Sequence, residues 1–302
     1  MITRTYSDRL TRFREQLARE PIMKKTVIHI EELHDRYGDE YLDLADKVLE
    51  TSESLGWNTC GILTNVFFEC IQEMLTFNET GNFGDTSFDE IRQTVYENKE
   101  YMEGQYLPGL FIAYAFTPLL YPKYPFFRNN FLPRLNADMQ GVEVGFGDGF
   151  YLWVMCQNVP GIRPQGFDIS PSALVVARKL LESSGFRDCT LELGNVLEAL
   201  PLPDASQDWG ILAEVIEHIP TPEKGIAEMA RILRPGACLY LSTTKDYNHV
   251  DHITNFPSVE YVADLIAAGG FVIQEQMSYK IQDDYPESPD KSENMAFICE
   301  RI

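Results

Sequence analysis

The chain has 302 residues, 44% of them hydrophobic and 24% charged, a composition that suits a globular protein with a sizeable core and excludes a disordered chain. Its length exceeds the usual single domain and predicts two units. Its formal charge of −21, from 46 acidic residues against 25 Lys and Arg, argues against a nucleic-acid partner, because phosphate backbones are held mainly by Lys and Arg. No run approaches 18 uninterrupted apolar residues, and the start, Met1 to Arg9, has no apolar h-region, so neither membrane spanning nor secretion is expected. The six cysteines (Cys60, Cys70, Cys156, Cys189, Cys238, Cys299) contain no C-x-x-C pair and fall mostly in apolar elements, which suits reduced thiols in a cytoplasmic protein.

From Ser7 to about Thr51, apolar residues recur at spacings of three and four, as at Tyr41, Leu42, Leu44, Ala45, Val48 and Leu49, and predict two or three amphipathic helices. A more apolar helix follows over Ile62 to Phe77, then a polar loop from Asn78 to Thr86, then a helix near Phe88 to Glu103. Residues 101 to 131 hold ten aromatics, and Pro108, Pro118, Pro122 and Pro125 limit helix length there. This segment reads as a hydrophobic joint between an N-terminal helical unit (1–135) and the rest of the chain (136–302); some of its rings also suit the wall of a reaction site.

After Asn136 the pattern alternates strand and helix. Strands are expected at Gln140–Val144, Gln165–Asp168, Thr190–Leu193, Trp209–Ala213, Cys238–Ser242, Phe271–Tyr279 and Met295–Cys299. Ser170-Pro171 and Thr221-Pro222 mark helix starts, and Gly185 and Gly269 mark stops. Such alternation predicts an α/β fold, a doubly wound, mostly parallel sheet covered by helices on both faces.

The most informative stretch is Gly141-Val142-Glu143-Val144-Gly145-Phe146-Gly147-Asp148-Gly149, a strand feeding a glycine-rich turn. Glycine there lets the backbone approach a ligand and take positive φ. Asp168 closes the next strand about 20 residues on, where an adenine-nucleoside site places a carboxylate for the ribose hydroxyls. A dinucleotide fingerprint would need a small residue where Phe150 stands, which disfavours a nicotinamide dehydrogenase.

Together with Gly194-Asn195-Val196 and Ala213-Glu214-Val215-Ile216-Glu217-His218, these motifs resemble the class I S-adenosylmethionine (SAM) dependent methyltransferases over residues 136–302. The resemblance implies a Rossmann-like, seven-stranded sheet of order 3-2-1-4-5-7-6 with an antiparallel seventh strand, under an N-terminal helical lid. It implies SAM binding by Glu143, Gly145, Phe146, Gly147 and Gly149, with Asp168 on the ribose and Ile169 and Ser170 beside the adenine. Asn195 and Val196 would cap the adenine, although Asn195, where an aspartate is common, also reads as a turn residue with a local backbone bond. Glu214 or Val215 would face the cofactor. His218 reads either as a base near the substrate or as a loop organiser.

Methyl transfer is an in-line displacement at a sulfonium, so the protein mainly aligns the acceptor and excludes water. The sulfonium favours aromatic faces, which makes Tyr101 and Tyr106 candidates, since family members commonly bring an N-terminal helix over the cofactor. The loop Asp246 to His252, after the fifth strand, reads as a polar substrate-facing segment with His249 as its candidate for chemistry. No metal is expected, although His249, Asp251 and His252 also have metal-ligand chemistry. The expected function is methyl transfer to a small-molecule acceptor. Two rivals remain: a SAM-consuming cyclase or lyase that releases methylthioadenosine, and a SAM-binding protein without turnover.

Overall fold

The computed structural model describes residues 6–80 and 86–302. The first five residues, and the part of the expected Asn78–Thr86 loop at 81–85, lie outside the described residues. Strands β1 (Gly141–Val144), β2 (Gln165–Asp168), β3 (Thr190–Leu193), β4 (Gln207–Ala213), β5 (Leu233–Lys245), β6 (Phe271–Lys280) and β7 (Glu293–Arg301) form one sheet of order β3-β2-β1-β4-β5-β7-β6. The pairs among β1 to β5 are parallel, and β7 runs antiparallel to both β5 and β6. Strand existence and order agree with the sequence reading. β5 is the main departure, extending well beyond Cys238–Ser242 at both ends because it pairs with β4 on one side and with a nine-residue β7 on the other.

Alternation along the central strands sorts side chains to two faces. Val142, Val144, Leu212, Leu239, Leu241 and Phe297 point to one core, closed by α11 (Pro222–Ile232) and α12 (Val259–Ala268). Helix α11 buries Ile226, Met229, Ala230 and Ile232 and leaves a polar outer side. Trp209, Ile211, Tyr240, Ala296 and Ile298 point the other way, toward α9 (Phe150–Asn158) and α10 (Pro171–Ser183). Helix α9 is different: Phe150 through Cys156 are all buried. A helix apolar all round needs a second cover.

That cover is the N-terminal part: α1 (Asp8–Leu17), α2 (Lys24–Tyr37), α3 (Asp39–Ser54) and α4 (Thr59–Thr80). α5 (Phe88–Ile91), α6 (Lys99–Tyr101), α7 (Leu107–Phe116) and α8 (Lys123–Phe126) follow. Helix α4 continues past Phe77 to Thr80, so the polar loop starts later than expected. The single helix expected over Phe88–Glu103 is broken instead: π-helical turns at Arg92–Tyr96 and Met102–Tyr106 separate α5, α6 and α7. The aromatic segment is the joint the sequence suggests. Tyr114 stacks on Phe150 at 4.0 Å and 4°, Phe127 meets Tyr151 at 4.8 Å and Tyr240 at 4.9 Å, and Phe131 reaches Trp209 at 6.4 Å. One core therefore runs unbroken from α1 to the sheet. Among the described residues no helix is long and apolar enough to cross a membrane.

Candidate active site

The carboxyl ends of β1, β2, β4 and β5 open on one cavity of about 1070 Å³, which continues between α2, α4 and α7 as an apolar chamber. Connections reverse between β1 and β4, the point where doubly wound sheets bind ligands. The glycine turn stands there. Gly145, Gly147 and Gly149 have φ of +72°, +49° and +86°. A Cβ on Gly145 would come within 2.4 Å of Val215 Cγ2, and one on Gly149 within 2.9 Å of Ala177 Cβ, so these two glycines are required by packing as well as by φ. At Gly147 an added Cβ would meet only Leu107 Cδ2, at 4.0 Å; this glycine faces the cavity.

Asp168 braces the turn. Its Oδ2 accepts the Gly147 N–H at 2.8 Å and its Oδ1 accepts the Ser170 N–H at 2.8 Å. Each oxygen keeps a further lone pair for a ligand hydroxyl. The side chain of Ser170, expected to cap α10, instead donates to the Tyr96 carbonyl at 3.3 Å. Ile169 lines the cavity beside it.

Two further carboxyls lie under the turn. Glu143 Oε2 and Asp148 Oδ2 are buried with no hydrogen-bond partner, while Asp148 Oδ1 accepts the Phe150 N–H at 2.7 Å. Burial pushes Glu143 well above the usual carboxylate range, with Asp148 and Asp168 adding repulsion. Burial likewise raises Asp148 to about 7 and Asp168 to about 6, against the bonds from Phe150 and from Ser170 and Gly147. Glu143 and Asp148 thus each keep one buried oxygen that a proton or a cation in the cavity can meet.

On the β4 side, Glu214 sits at φ +53°. Its Oε1 accepts the Ser242 hydroxyl at 2.6 Å and its Oε2 pairs with Lys123 Nζ at 2.7 Å. Lys123 is fully buried on α8, so the aromatic segment contributes a charge to the switch point. Val215 packs on the glycine turn. Asn195 lines the cavity, but its Oδ1 accepts the Leu197 N–H at 3.0 Å, the local bond of a turn residue. Val196 is buried beside it.

The loop after β5 supplies the densest polar cluster, centred on Asp251, which is 1% exposed. Its Oδ1 meets His249 Nδ1 at 2.7 Å; its Oδ2 accepts Tyr106 OH at 2.5 Å and Tyr96 OH at 3.2 Å. His218 Nδ1 binds the Asp251 carbonyl at 3.0 Å. Burial would raise Asp251, but His218, His249 and His252 outweigh it and hold the carboxyl well below its ordinary value. Burial disfavours the charge on His218, yet Asp251 and Glu217 leave its pKa raised. His252, by burial and by the neighbouring His218, is held well below.

Of the two tyrosines singled out, Tyr106 lines the cavity; Tyr101 stands behind it, ring centroids 5.8 Å apart, and its hydroxyl donates to Glu69 at 3.0 Å. Asp148, Lys123 and Tyr96 were missed as site residues. Asp148 was visible inside the glycine motif itself; Lys123 and Tyr96 carry no local signal.

The methyltransferase domain family matches residues 142–241. A ubiquinone biosynthesis O-methyltransferase of Thiobacillus denitrificans is 29% identical over 133 residues, 44% of this chain and 56% of that protein. A malonyl-[acyl-carrier protein] O-methyltransferase of Hahella chejuensis is 28% identical over 153 residues, 46% of this chain and 53% of that protein. The glycine turn and Asp168 both lie within the matched span. Residues 142–241 carry a methyltransferase domain of the class I SAM-dependent type. The chain spans about half the length of these curated relatives. The fold is also that of geranyl diphosphate C-methyltransferase from Streptomyces coelicolor A3(2), with a TM-score of 0.51 at 14% identity, over 73% of this chain and 90% of that one.

SAM, the cofactor of such domains, fits the residues present. Gly147 leaves the backbone open to it, Asp168 retains lone pairs, and the orphaned oxygens of Glu143 and Asp148 suit a cationic ligand.

Proposed function

We propose that this chain transfers a methyl group from SAM to a small-molecule acceptor with an extended apolar part. The single observation that carries the reading is the continuity of one cavity. Its glycine-turn end is walled by the buried carboxyls of Glu143 and Asp148, each with one unpartnered oxygen, and its other end is lined by Ile71, Met74, Leu110 and Leu120. Pockets of roughly 300–1,000 Å³ accommodate one drug-sized ligand. At about 1070 Å³ this cavity lies just above the top of that range, and its apolar extension beyond the glycine turn favours an acceptor beside the cofactor over intramolecular cleavage of SAM.

In this reading Gly145, Phe146, Gly147 and Gly149 form the floor under SAM, Asp168 holds its ribose, and Ile169, Ser170, Asn195 and Val196 flank its adenine. Glu143 and Asp148 favour its cationic end. SAM supplies an electrophilic methyl on a sulfonium, and the leaving thioether takes the electron pair of the broken bond. The protein orients the acceptor in line with that bond and keeps water out; orientation alone lowers such barriers by roughly 7–11 kcal/mol at best. Tyr106 offers a ring to the sulfonium, a contact worth about 0.5–2 kcal/mol. Where the acceptor carries a hydroxyl, His218 or His249 takes its proton, each oriented by Asp251. Tyr101, turned toward Glu69, supports Tyr106 from behind.

Residues 1–135 would form the substrate-facing lid and 136–302 the SAM-binding unit. All six cysteines are free thiols, in keeping with a reducing, cytoplasmic setting. The acidic balance of the chain supports a small-molecule acceptor over a nucleic acid. Incubation of the purified chain with SAM, with and without a panel of quinols, phenols and acyl acceptors bearing apolar chains, tests the reading. Acceptor-dependent S-adenosylhomocysteine is the expected product. Methylthioadenosine formed from SAM alone would replace it with the cleavage reading, and SAM binding without any consumption would replace it with a sensor.

A further inference from the structure

Three donor groups on two separate segments converge beside the proposed cofactor site. One ligand atom each from Glu217, His218 and His252 lie within 4.8 Å of one another. Glu217 is fully buried; its Oε2 accepts Thr243 Oγ1 at 2.7 Å, and its Oε1 has no partner. A buried carboxylate oxygen left unpaired costs free energy unless a cation or proton meets it.

The two imidazoles are already presented as ligands. His218 Nδ1 faces the Asp251 carbonyl at 3.0 Å, and His252 Nδ1 faces the Tyr247 carbonyl at 2.8 Å. A carbonyl acceptor fixes the proton on Nδ1 and puts the lone pair on Nε2, as outer-shell partners do for metal-bound histidines. The rings meet edge to face, centroids 4.6 Å apart at 89°. The Ile253 and Thr254 N–H groups both donate to the Glu217 carbonyl, at 3.0 and 2.9 Å, so the segment carrying His252 is fastened to the one carrying Glu217 and His218.

We propose that Glu217, His218 and His252 form a binding site for one divalent transition-metal ion of the Fe, Co or Zn type, open toward the cavity. Two imidazoles and one carboxylate select such an ion over Mg²⁺ or Ca²⁺, which prefer oxygen donors. Metal–ligand bonds near 2.0–2.2 Å require donor separations of roughly 3–3.5 Å, so donors now within 4.8 Å of one another close up by at most roughly 1.3–1.8 Å on binding. The neighbouring trio His249, Asp251 and His252 also lies within 4.8 Å, but both Asp251 oxygens are taken, by His249 and by the hydroxyls of Tyr96 and Tyr106. Asp251 therefore orients the site from outside. Three protein ligands leave positions for water or for an oxygen of the acceptor, and with the ion bound His218 serves as a ligand and not as the base.

The test is titration of the chelator-treated full chain with Co²⁺ alone, read by visible ligand-field absorption and by calorimetry, with SAM affinity measured in parallel. One equivalent should bind, and Glu217→Gln and His252→Asn should each weaken it by at least about a hundredfold. The His249→Ala variant should keep the one-to-one stoichiometry. No saturable cobalt binding by the wild-type chain overturns the site whether or not any variant folds, and so does wild-type affinity in folded Glu217→Gln. SAM affinity reports separately on the proposed cofactor site.

Discussion

Asp168 Oδ2 accepts the Gly147 N–H at 2.8 Å, which makes the carboxylate expected to hold a ribose also the strut of the glycine turn. The proposed ribose carboxylate and the glycine turn are one hydrogen-bonded unit, so removing the carboxylate should cost affinity twice, through the proposed ribose contact and through the turn. Asp168→Ala should weaken SAM binding by about a hundredfold or more, given roughly 1.5–3 kcal/mol for a charge-assisted hydrogen bond plus the loosened turn. Asp168→Asn should fall between, because its amide retains one acceptor oxygen. Calorimetric titration with SAM, on variants whose far-UV circular dichroism matches the parent, measures this. Unchanged affinity in Asp168→Ala would remove the basis for the proposed cofactor site.

The glycines should separate by position. Gly147→Ala meets no side chain nearer than 4.0 Å, so its cost to folding should be only the roughly 1–2 kcal/mol of a left-handed non-glycine residue, while its methyl enters the cavity and lowers SAM affinity. Gly145→Ala, 2.4 Å from Val215, should destabilise by more than that. Urea unfolding read beside SAM titration distinguishes the two. Equal stability loss in both would contradict the assigned packing.

Protonation should oppose cofactor binding. Asp148 and Asp168 sit at about 7 and about 6, above their ordinary 3.8, because burial disfavours their charge. A raised pKa means the folded chain holds these protons more tightly than the unfolded one. The stability they contribute is therefore full below about pH 4 and lost as the pH climbs through about 6 and then about 7. A cationic ligand reverses this preference by favouring the ionised forms. SAM should bind more tightly at pH 8 than at pH 5.5, by up to about tenfold per carboxyl titrated per pH unit, with protons released on binding. Calorimetry in two buffers of different ionisation enthalpy counts them, and proton uptake would show the sign to be wrong.

Filling the apolar chamber should act on the acceptor alone. Ile71→Trp on α4 places a ring in the chamber and should raise KM for long-chain acceptors by at least about tenfold with SAM affinity unchanged. Steady-state kinetics with a short and a long acceptor would reveal it. The same KM for both acceptors would detach the chamber from acceptor binding.

The aromatic joint should be stiff. Phe127, fully buried against Phe131, Tyr151 and Tyr240, should cost roughly 3–5 kcal/mol when cut to alanine. Chemical denaturation measures the loss; a value under about 1 kcal/mol would mean that the helical layer and the sheet are not packed as one core.

Much was written locally. Val142 and Val144 alternate with Gly141 and Glu143, Ser170-Pro171 opens a helix, and Gly145, Gly147 and Gly149 sit where the chain turns tightly; each reports on neighbours a few residues away, and β2 and β3 lie where periodicity put them. The breaks between α5 and α7 were not legible, because no residue spacing in that segment distinguishes a π-helical turn from an α-helical one. Nor was the clustering about Asp251, whose hydroxyl partners Tyr96 and Tyr106 are 155 and 145 residues away, or the union of Lys123 with Glu214. Side-chain periodicity by itself determined the elements and marked the cofactor turn. Only the folding of the N-terminal helices onto α9 decided which acids stay unpaired, which histidines face each other, and how far the cavity reaches, because buried partners so distant along the chain are chosen by tertiary packing and desolvation, which no local spacing encodes.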